Sequence, residues 1–120
     1  MQDNEIWEVE ATDAFADWWG ELNSNEQESV GLYIKMLMQF GVKLGYPYTS
    51  QILGSQYGNM RELRIQHNGE PYRVFYAFDP RRSAILLIGA IKSGKEKRFY
   101  EQYVPIADTL YKQHLDSLEK

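Results

Sequence analysis

The sequence predicts an α+β domain with helices packed on one side of an antiparallel sheet, in the order β-α-α-β-β-β-α. The sheet is predicted from three apolar runs rich in β-branched and aromatic residues: Arg61–Ile65, Tyr72–Phe78 and Ala84–Ile91. Short connections that contain the turn formers Asn68-Gly69 and Asp79-Pro80 separate these runs, and they are too short for parallel crossovers. Helical periodicity before and after the runs predicts the remaining elements.

The N-terminal part predicts one strand and a first helix. Ile6–Ala11 alternates in hydrophobicity, and we expect it to join the edge of the sheet. Thr12 or Asp13 is expected to cap the helix. The apolar stripe of this helix consists of Phe15, Trp18, Trp19 and Leu22. We interpret its two tryptophans as core residues and not as platforms for base stacking.

A second helix is predicted after the Asn23-Ser24-Asn25 break. The pattern Ser24-x-x-Gln27 fits a capping box, and the helix is expected to stop near Gly41 or Gly45. Its stripe consists of Val30, Tyr33, Ile34, Leu37 and Met38. The two helices should form an antiparallel hairpin on one face of the sheet.

The remaining segments are a loop and a C-terminal helix. Residues 45–59 are rich in Gly, Pro, Ser, Thr and Asn, which is typical of a loop that crosses from the helices to the sheet. Apolar residues recur at helical spacing from Phe99 to Leu118. Because proline lacks an N–H, we expect the helix proper to begin at Pro105, with Arg98–Val104 as a separate turn.

Composition limits the class of protein. The 120 residues are 43% hydrophobic and 25% charged, which predicts one globular domain over residues 1–120. No apolar run approaches the ~20 residues of a membrane span, and the start of the chain is acidic, so we expect a soluble, cytoplasmic protein with no membrane contact. The chain has no cysteine, and its two histidines, His67 and His114, have no metal-ligand spacing. We therefore expect neither a metal nor a cofactor, and we interpret His114 as a packing residue.

Charge is segregated along the chain although the net charge is only −4. Residues 1–30 contain nine acidic residues and no Lys or Arg, whereas residues 61–98 contain nine basic and four acidic residues. Either the two halves neutralise each other across the fold, or the basic half binds an anionic partner.

The arginines within the apolar strands can likewise either pair with acidic residues or bind an anionic partner. Strand alternation places Arg73 on the face of Phe75 and Ala77, and Arg64 on the face of Glu62. A buried guanidinium needs water, a carboxylate or a bound anion. Either Arg61, Arg64 and Arg73 pair with acids such as Glu62, or some of them line an open groove together with Lys92 and Arg98.

Several short motifs, in this order, resemble the RelE/ParE toxin superfamily. They are Glu62-Leu63-Arg64, the strand Tyr72–Phe78, and Lys92-Ser93-Gly94 after a hydrophobic strand. Asp79–Arg82, Arg98-Phe99-Tyr100 and the segment 105–111 make the chain more similar to the phage-derived Gp49-like, HigB-type branch. The resemblance extends from Trp7 through His114 and implies a RelE-like fold.

The resemblance implies the toxin of a toxin–antitoxin pair. Such a toxin cleaves messenger RNA on the ribosome without a metal, by attack of a ribose 2′-OH on the adjacent phosphate. It is neutralised by a small helix-turn-helix, HigA-like antitoxin, and operator DNA is contacted only through the antitoxin complex.

The resemblance also implies roles for individual residues. Arg64 and Arg73 are expected to hold the phosphate, since a guanidinium suits bidentate phosphate contact. Lys92 would stabilise the transition state or act as the base, and Tyr100, less favourably Tyr103, would stack on a base or move a proton. The RNA backbone is expected to be bound by Arg61, Lys95, Lys97 and Arg98.

The sequence departs from the family where some members have a histidine and an aspartate near the last strand. Here the stretch is Ile91-Lys92-Ser93-Gly94-Lys95, which leaves the general acid and base unassigned. Two alternatives to the nuclease therefore stay open. One is a ParE-like inhibitor that binds a protein such as gyrase, and the other is an inactive, phage-derived regulatory domain.

Overall fold

Five strands form one sheet between two helical layers in the computed structural model, which describes residues 6–94 and 96–119. The elements in chain order are β1 Val9–Ala11, α1 Asp13–Glu21, α2 Ser24–Phe40, β2 Thr49–Gln51, β3 Arg61–His67, β4 Glu70–Phe78, β5 Ala84–Ile91 and α3 Glu96–Ser117. A 3₁₀ turn, Gly41–Lys43, follows α2. The predicted α+β class is confirmed.

The sheet has the order β1-β5-β4-β3-β2. Strands β3, β4 and β5 form the predicted antiparallel meander, and the β3–β4 turn has positive φ at both Asn68 (51°) and Gly69 (79°). The predicted N-terminal strand is shorter than expected, and it joins the edge of the sheet parallel to β5. The sheet is therefore mixed.

The two N-terminal helices begin at side-chain caps. The Thr12 hydroxyl accepts a hydrogen bond from the Phe15 backbone N–H (3.0 Å), as predicted. The capping box of α2 lies one residue earlier than predicted, because Asn23 and Glu26 bond reciprocally to each other's backbone N–H, both at 2.8 Å. Asn23 is therefore the N-cap of α2.

The helices cover both faces of the sheet, so the expectation that they all pack on one side is wrong. Buried side chains of α1 and α2, such as Phe15 and Leu37, pack with Leu63 and Val74 on the first face. The C-terminal helix α3 packs on the second face, against Phe75 and neighbouring residues. Alternation along β4 and β5 makes both faces of the sheet apolar, and each face must be buried.

Two further expectations are corrected. The segment 45–59 is not only a loop, since β2 lies within it and pairs antiparallel with β3. The C-terminal helix does not begin at Pro105 but runs through it from Glu96. Pro105 and Glu101 are both exposed, so the turn in which proline removes one backbone hydrogen bond lies on the solvent side of the helix.

Candidate functional site

Four elements bring polar side chains together on the α3 face of the sheet. Arg64 of β3 is paired in register with Arg73 of β4, and Ser50 of β2 is paired with Glu62 of β3. Tyr100, in the first turns of α3, reaches the same point from above the sheet. The sequence places them together because residues two apart on a strand share a face.

The Glu62 carboxylate lies at the centre of this cluster. Its Oε1 accepts a hydrogen bond from the Tyr100 hydroxyl at 2.7 Å, and its Oε2 accepts one from the Ser50 hydroxyl at 2.8 Å. The guanidinium groups lie farther away, with Arg64 Nη1 3.4 Å from Oε2 and Arg73 Nε 3.6 Å from Oε1. One carboxylate thus connects two arginines, a tyrosine and a serine.

The two arginines differ in exposure and in how far their donors are used. The Arg73 side chain is 7% exposed, and its Nε is buried without a hydrogen-bond partner among the described residues. The Arg64 side chain is 30% exposed, with its guanidinium 5.4 Å from the centre of the Tyr46 ring. A buried guanidinium N–H without an acceptor is costly, so Arg73 retains donor capacity for an anion.

Tyr100 is a neutral hydroxyl donor at physiological pH. Burial, the hydrogen bond to Glu62 and the Glu62 charge raise the pKa of Tyr100 to about 12, against the opposing effect of Arg73. The ring packs edge-on against Phe75 and Phe99. Phe99 itself is buried. This packing fixes the hydroxyl next to the carboxylate.

The cluster borders a cavity of about 310 Å³ at the edge of the sheet. Glu62, Arg64 and Tyr100 line it together with the segment 51–53. A larger groove of about 720 Å³ continues along α3 and shares Leu53 and Tyr100 with the cavity. A ligand that enters the cavity would therefore lie next to Arg64, Glu62 and Tyr100.

The other predicted site residues lie at different positions. Lys92 directly follows β5, and its backbone N–H donates a hydrogen bond to the Pro71 carbonyl at 2.7 Å. It lies two residues beyond Ala90, which is paired in register with Arg73. Lys97 is exposed and lines the larger groove, and Arg98 is exposed.

Two basic residues predicted to bind RNA are not placed in the cluster. Arg61 shares the alternation of Leu63, whose side chain is buried on the opposite face of the sheet, so the structure does not bring Arg61 to the cluster. Lys95 lies outside the described residues.

A second polar cluster lies at the β4–β5 turn. The buried Asp79 carboxylate accepts hydrogen bonds from Arg81, from the Ser83 backbone N–H and, at 2.8 Å, from His114 Nε2 of α3. Arg81 also contacts Glu10 of β1 at 2.9 Å. The cluster ties α3 and β1 to the turn, and it fits the prediction that His114 is a packing residue.

Sequence reasoning named Glu62 only as an ion-pair partner and did not identify Ser50. The two-residue spacing of Glu62 and Arg64 could have indicated that their side chains share a face. The ion pairs of Glu62 with Arg64 and Arg73 match the alternative in which these arginines pair with acids. Ser50 carried no signal because β2 was not predicted. In residues 6–94 and 96–119, no three His, Asp or Glu side chains are arranged to hold a metal ion.

Comparisons with known proteins agree with this architecture. Residues 17–112 match the family model described as "Phage derived protein Gp49-like". A Mycobacterium tuberculosis protein named "Putative toxin HigB3" is 42% identical over 91 residues, which cover 76% of this chain and 78% of that protein. A second M. tuberculosis protein, "Putative toxin HigB2", is 34% identical over 85% of this chain, which spans about half of its length (51%).

A solved structure supports the fold. The free-state structure of a mutant of the E. coli toxin RelE superposes with a TM-score of 0.58, over 83% of this chain and 96% of that chain. At 10% sequence identity this likeness concerns the fold alone. Among the described residues, none of the helices has the length and hydrophobicity needed to span a bilayer.

Proposed function

The chain belongs to the phage-derived Gp49-like family, and we propose that it is the toxin of a type II toxin–antitoxin system, a metal-independent endoribonuclease that cleaves messenger RNA on the ribosome. The observation that carries this proposal is the pair Arg64 and Arg73, in register on adjacent strands, with an unused buried N–H on Arg73. Two neighbouring guanidinium groups, of which Arg64 lines the cavity, suit a phosphate diester.

The reaction requires three tasks of the protein. The ribose 2′-OH attacks the adjacent phosphorus, the phosphorane carries extra negative charge, and the 5′-oxygen leaves with a proton. Arg64 and Arg73 hold the phosphate, and Lys92 at the end of β5 adds positive charge that stabilises the phosphorane. Tyr100 moves a proton or stacks on a base.

The exposed basic residues extend the site. Lys97 and Arg98, on the first turn of α3 next to Tyr100, are suited to follow the RNA backbone. For Arg61 and Lys95, binding of the RNA backbone stays a prediction from the sequence. The proposed partners are a helix-turn-helix, HigA-like antitoxin and ribosome-bound messenger RNA, with operator DNA contacted only through the antitoxin complex. The names of the curated relatives as HigB toxins support the antitoxin as a partner.

The test is induced expression in cells that lack the antitoxin, with growth and mapped messenger-RNA ends as readouts. We expect the wild type to arrest growth and create new RNA ends. Arg73→Ala and Lys92→Ala should abolish both effects. Lys35→Ala is the matched control, because it removes one positive charge from the exposed side of α2 and should leave cleavage unchanged.

The outcomes separate the classes of function, provided that purified variants keep their thermal transition. Arrest without new RNA ends would contradict the nuclease and favour a ParE-like inhibitor that binds a protein target. Absence of arrest would favour an inactive regulatory domain. Equal loss of cleavage in Lys35→Ala would show that total charge, and not the arginine pair, is responsible.

A further inference from the structure

We propose that Glu62 is the general base and Tyr100 the general acid of this site, an assignment that rests on the proposed nuclease function. The assignment concerns the proton transfers, for which the sequence offers no histidine near the last strand. It follows from the position of one carboxylate within the cluster and from the direction of its hydrogen bonds.

The Glu62 carboxylate is placed where a base must act. Two guanidinium groups at 3.4 and 3.6 Å balance its negative charge, and neither is close enough for a short charged hydrogen bond. The groups facing it from the packed elements are Arg64 from β3, Arg73 from β4, Tyr100 from α3 and Ser50 from β2. A phosphate held by the arginines would bring its neighbouring 2′-OH to this carboxylate.

The short contacts of Glu62 are hydroxyl donors that a ribose can replace. Tyr100 and Ser50 each donate one O–H to it, at 2.7 and 2.8 Å. A ribose 2′-OH is an equivalent donor, and Glu62, which is nearly buried, lines the cavity of about 310 Å³ together with Tyr100. We infer that the 2′-OH takes the place of the Tyr100 hydroxyl on Oε1.

Tyr100 is suited to the acid step. Its hydroxyl is neutral, and burial together with the hydrogen bond to Glu62 raises its pKa to about 12. Once the 2′-OH occupies Oε1, the Tyr100 hydroxyl is free to donate to the leaving 5′-oxygen. An alkoxide leaving group is a far stronger base than a phenolate, so the transfer is favourable.

The step balances without any further reactant. The Glu62 carboxylate takes the proton of the 2′-OH, the O2′–P bond forms, and the P–O5′ bond breaks. The 5′-oxygen takes the Tyr100 proton, which leaves a 2′,3′-cyclic phosphate and a 5′-OH. The protonated Glu62 then returns its proton to the tyrosinate across the contact observed at 2.7 Å, and the site is restored.

The experiment measures single-turnover cleavage of messenger RNA on programmed ribosomes. Glu62→Gln should lower the rate constant at saturating protein by about 100- to 10,000-fold, the usual contribution of a general acid or base. Half-saturation should occur at the same or a lower protein concentration, because the change removes a negative charge beside the phosphate. Ser50→Ala removes the other hydroxyl from the same carboxylate and should change the rate less than about tenfold.

A sulfur substitution identifies the acid. Tyr100→Phe should be as impaired as Glu62→Gln on ordinary RNA, but it should recover to within about tenfold of wild type when sulfur replaces the bridging 5′-oxygen, since a thiolate leaves without a proton. Glu62→Gln should not recover on that substrate. Glu62→Asp keeps the charge but retracts the carboxylate, and it serves as a second variant if the thermal transition of Glu62→Gln is lost.

The results overturn the inference in distinct ways. Full cleavage by folded Glu62→Gln contradicts the base, and failure of sulfur to restore Tyr100→Phe contradicts the acid. Weaker RNA binding at an unchanged maximal rate in Glu62→Gln would reduce Glu62 to a structural partner of the arginines. A wild type that leaves ribosome-bound RNA intact overturns the proposed function itself and this inference with it.

Discussion

Gly89 on β5 is a position where one methyl group should destabilise the fold. A Cβ added at Gly89 would lie 2.3 Å from both Cε3 and Cζ3 of the Trp18 ring and 2.7 Å from Cδ2. Carbon atoms in contact are about 3.5–4.0 Å apart, so the ring must retreat by more than about 1 Å. Trp18 packs against Phe15 at a centroid distance of 5.7 Å and cannot move independently.

The expected cost of Gly89→Ala follows from this overlap. Overpacking a well-filled core costs about 1–3 kcal/mol. For a chain of this size that corresponds to a fall in Tm of about 5–15 °C. Gly20→Ala is the matched control, because a Cβ added there in α1 would meet nothing within 4 Å, and alanine should stabilise that helix by up to about 1 kcal/mol.

Urea and thermal denaturation of both variants measure these differences. The physical cause is tested in a Trp18→Leu background, where a smaller side chain removes the overlap and Gly89→Ala should cost at least about 1 kcal/mol less. Gly89→Ala with wild-type stability, or an equal cost in both backgrounds, would refute the contact between Trp18 and Gly89. It would also remove the reason for a glycine in the middle of β5.

Three further outcomes concern the C-terminal helix and its anchor. Asp79→Ala should lower the free energy of unfolding by about 1–3 kcal/mol, because His114 and the Ser83 backbone N–H lose their acceptor while the half-exposed Arg81 keeps Glu10; urea denaturation measures this. Burial opposes ionisation of Asp79, but hydrogen bonds from His114 and Arg81 outweigh it and hold the pKa of the carboxyl below its usual 3.8. The pKa of Asp79 is lower in the folded than in the unfolded chain, so its stabilisation should be complete above about pH 5. It should be lost as the pH falls below 3.8 through the folded pKa. In an acid titration, Asp79→Asn should not show this loss of stability. Pro105→Ala should raise the free energy of unfolding by about 2 kcal/mol in the same denaturation assay, since proline inside a helix costs about 3 kcal/mol and part of this is offset by its stiffer unfolded chain; an unchanged value would contradict the strain assigned to it.

Most of the sheet was predictable because its strands are long and their turns are chemically specific. The run Ala84–Ile91 matches β5 residue for residue, and Asn68-Gly69 forms the turn that its sequence demands. The three-residue strand β2 was missed since it is stabilised by pairing with β3 and not by its own apolar pattern. The helix through Pro105 was missed because tertiary packing of Phe99 and Tyr111 holds both halves in one helix.

The site was predictable only in part for a related reason. Alternation along β3 and β4 was sufficient to place Arg64 with Glu62 and Arg73 with Phe75. Alternation could not show that α3 crosses this face. Both faces of the folded sheet are largely apolar, and the sequence of a helix does not indicate which of them it covers. The Tyr100–Glu62 hydrogen bond, which connects the acid and base proposed above, depends on that crossing.

Part of the acidic charge of the chain lies on the opposite side of the sheet from the proposed phosphate site. The exposed acids of the N-terminal third, such as Glu8, Asp13 and Asp17, belong to the segments before and within α1, which packs on the first face. Arg64 and Arg73 lie on the second face, where two cationic groups share the single carboxylate of Glu62. The sheet lies between the acids of α1 and the arginine pair, and the effect of exposed charges falls off over about 10 Å at physiological salt. The local field at the arginine pair, more than the net charge, should therefore set the affinity for the proposed RNA phosphate, while the acidic residues around α1 should repel the RNA backbone and restrict the orientation in which the protein approaches it.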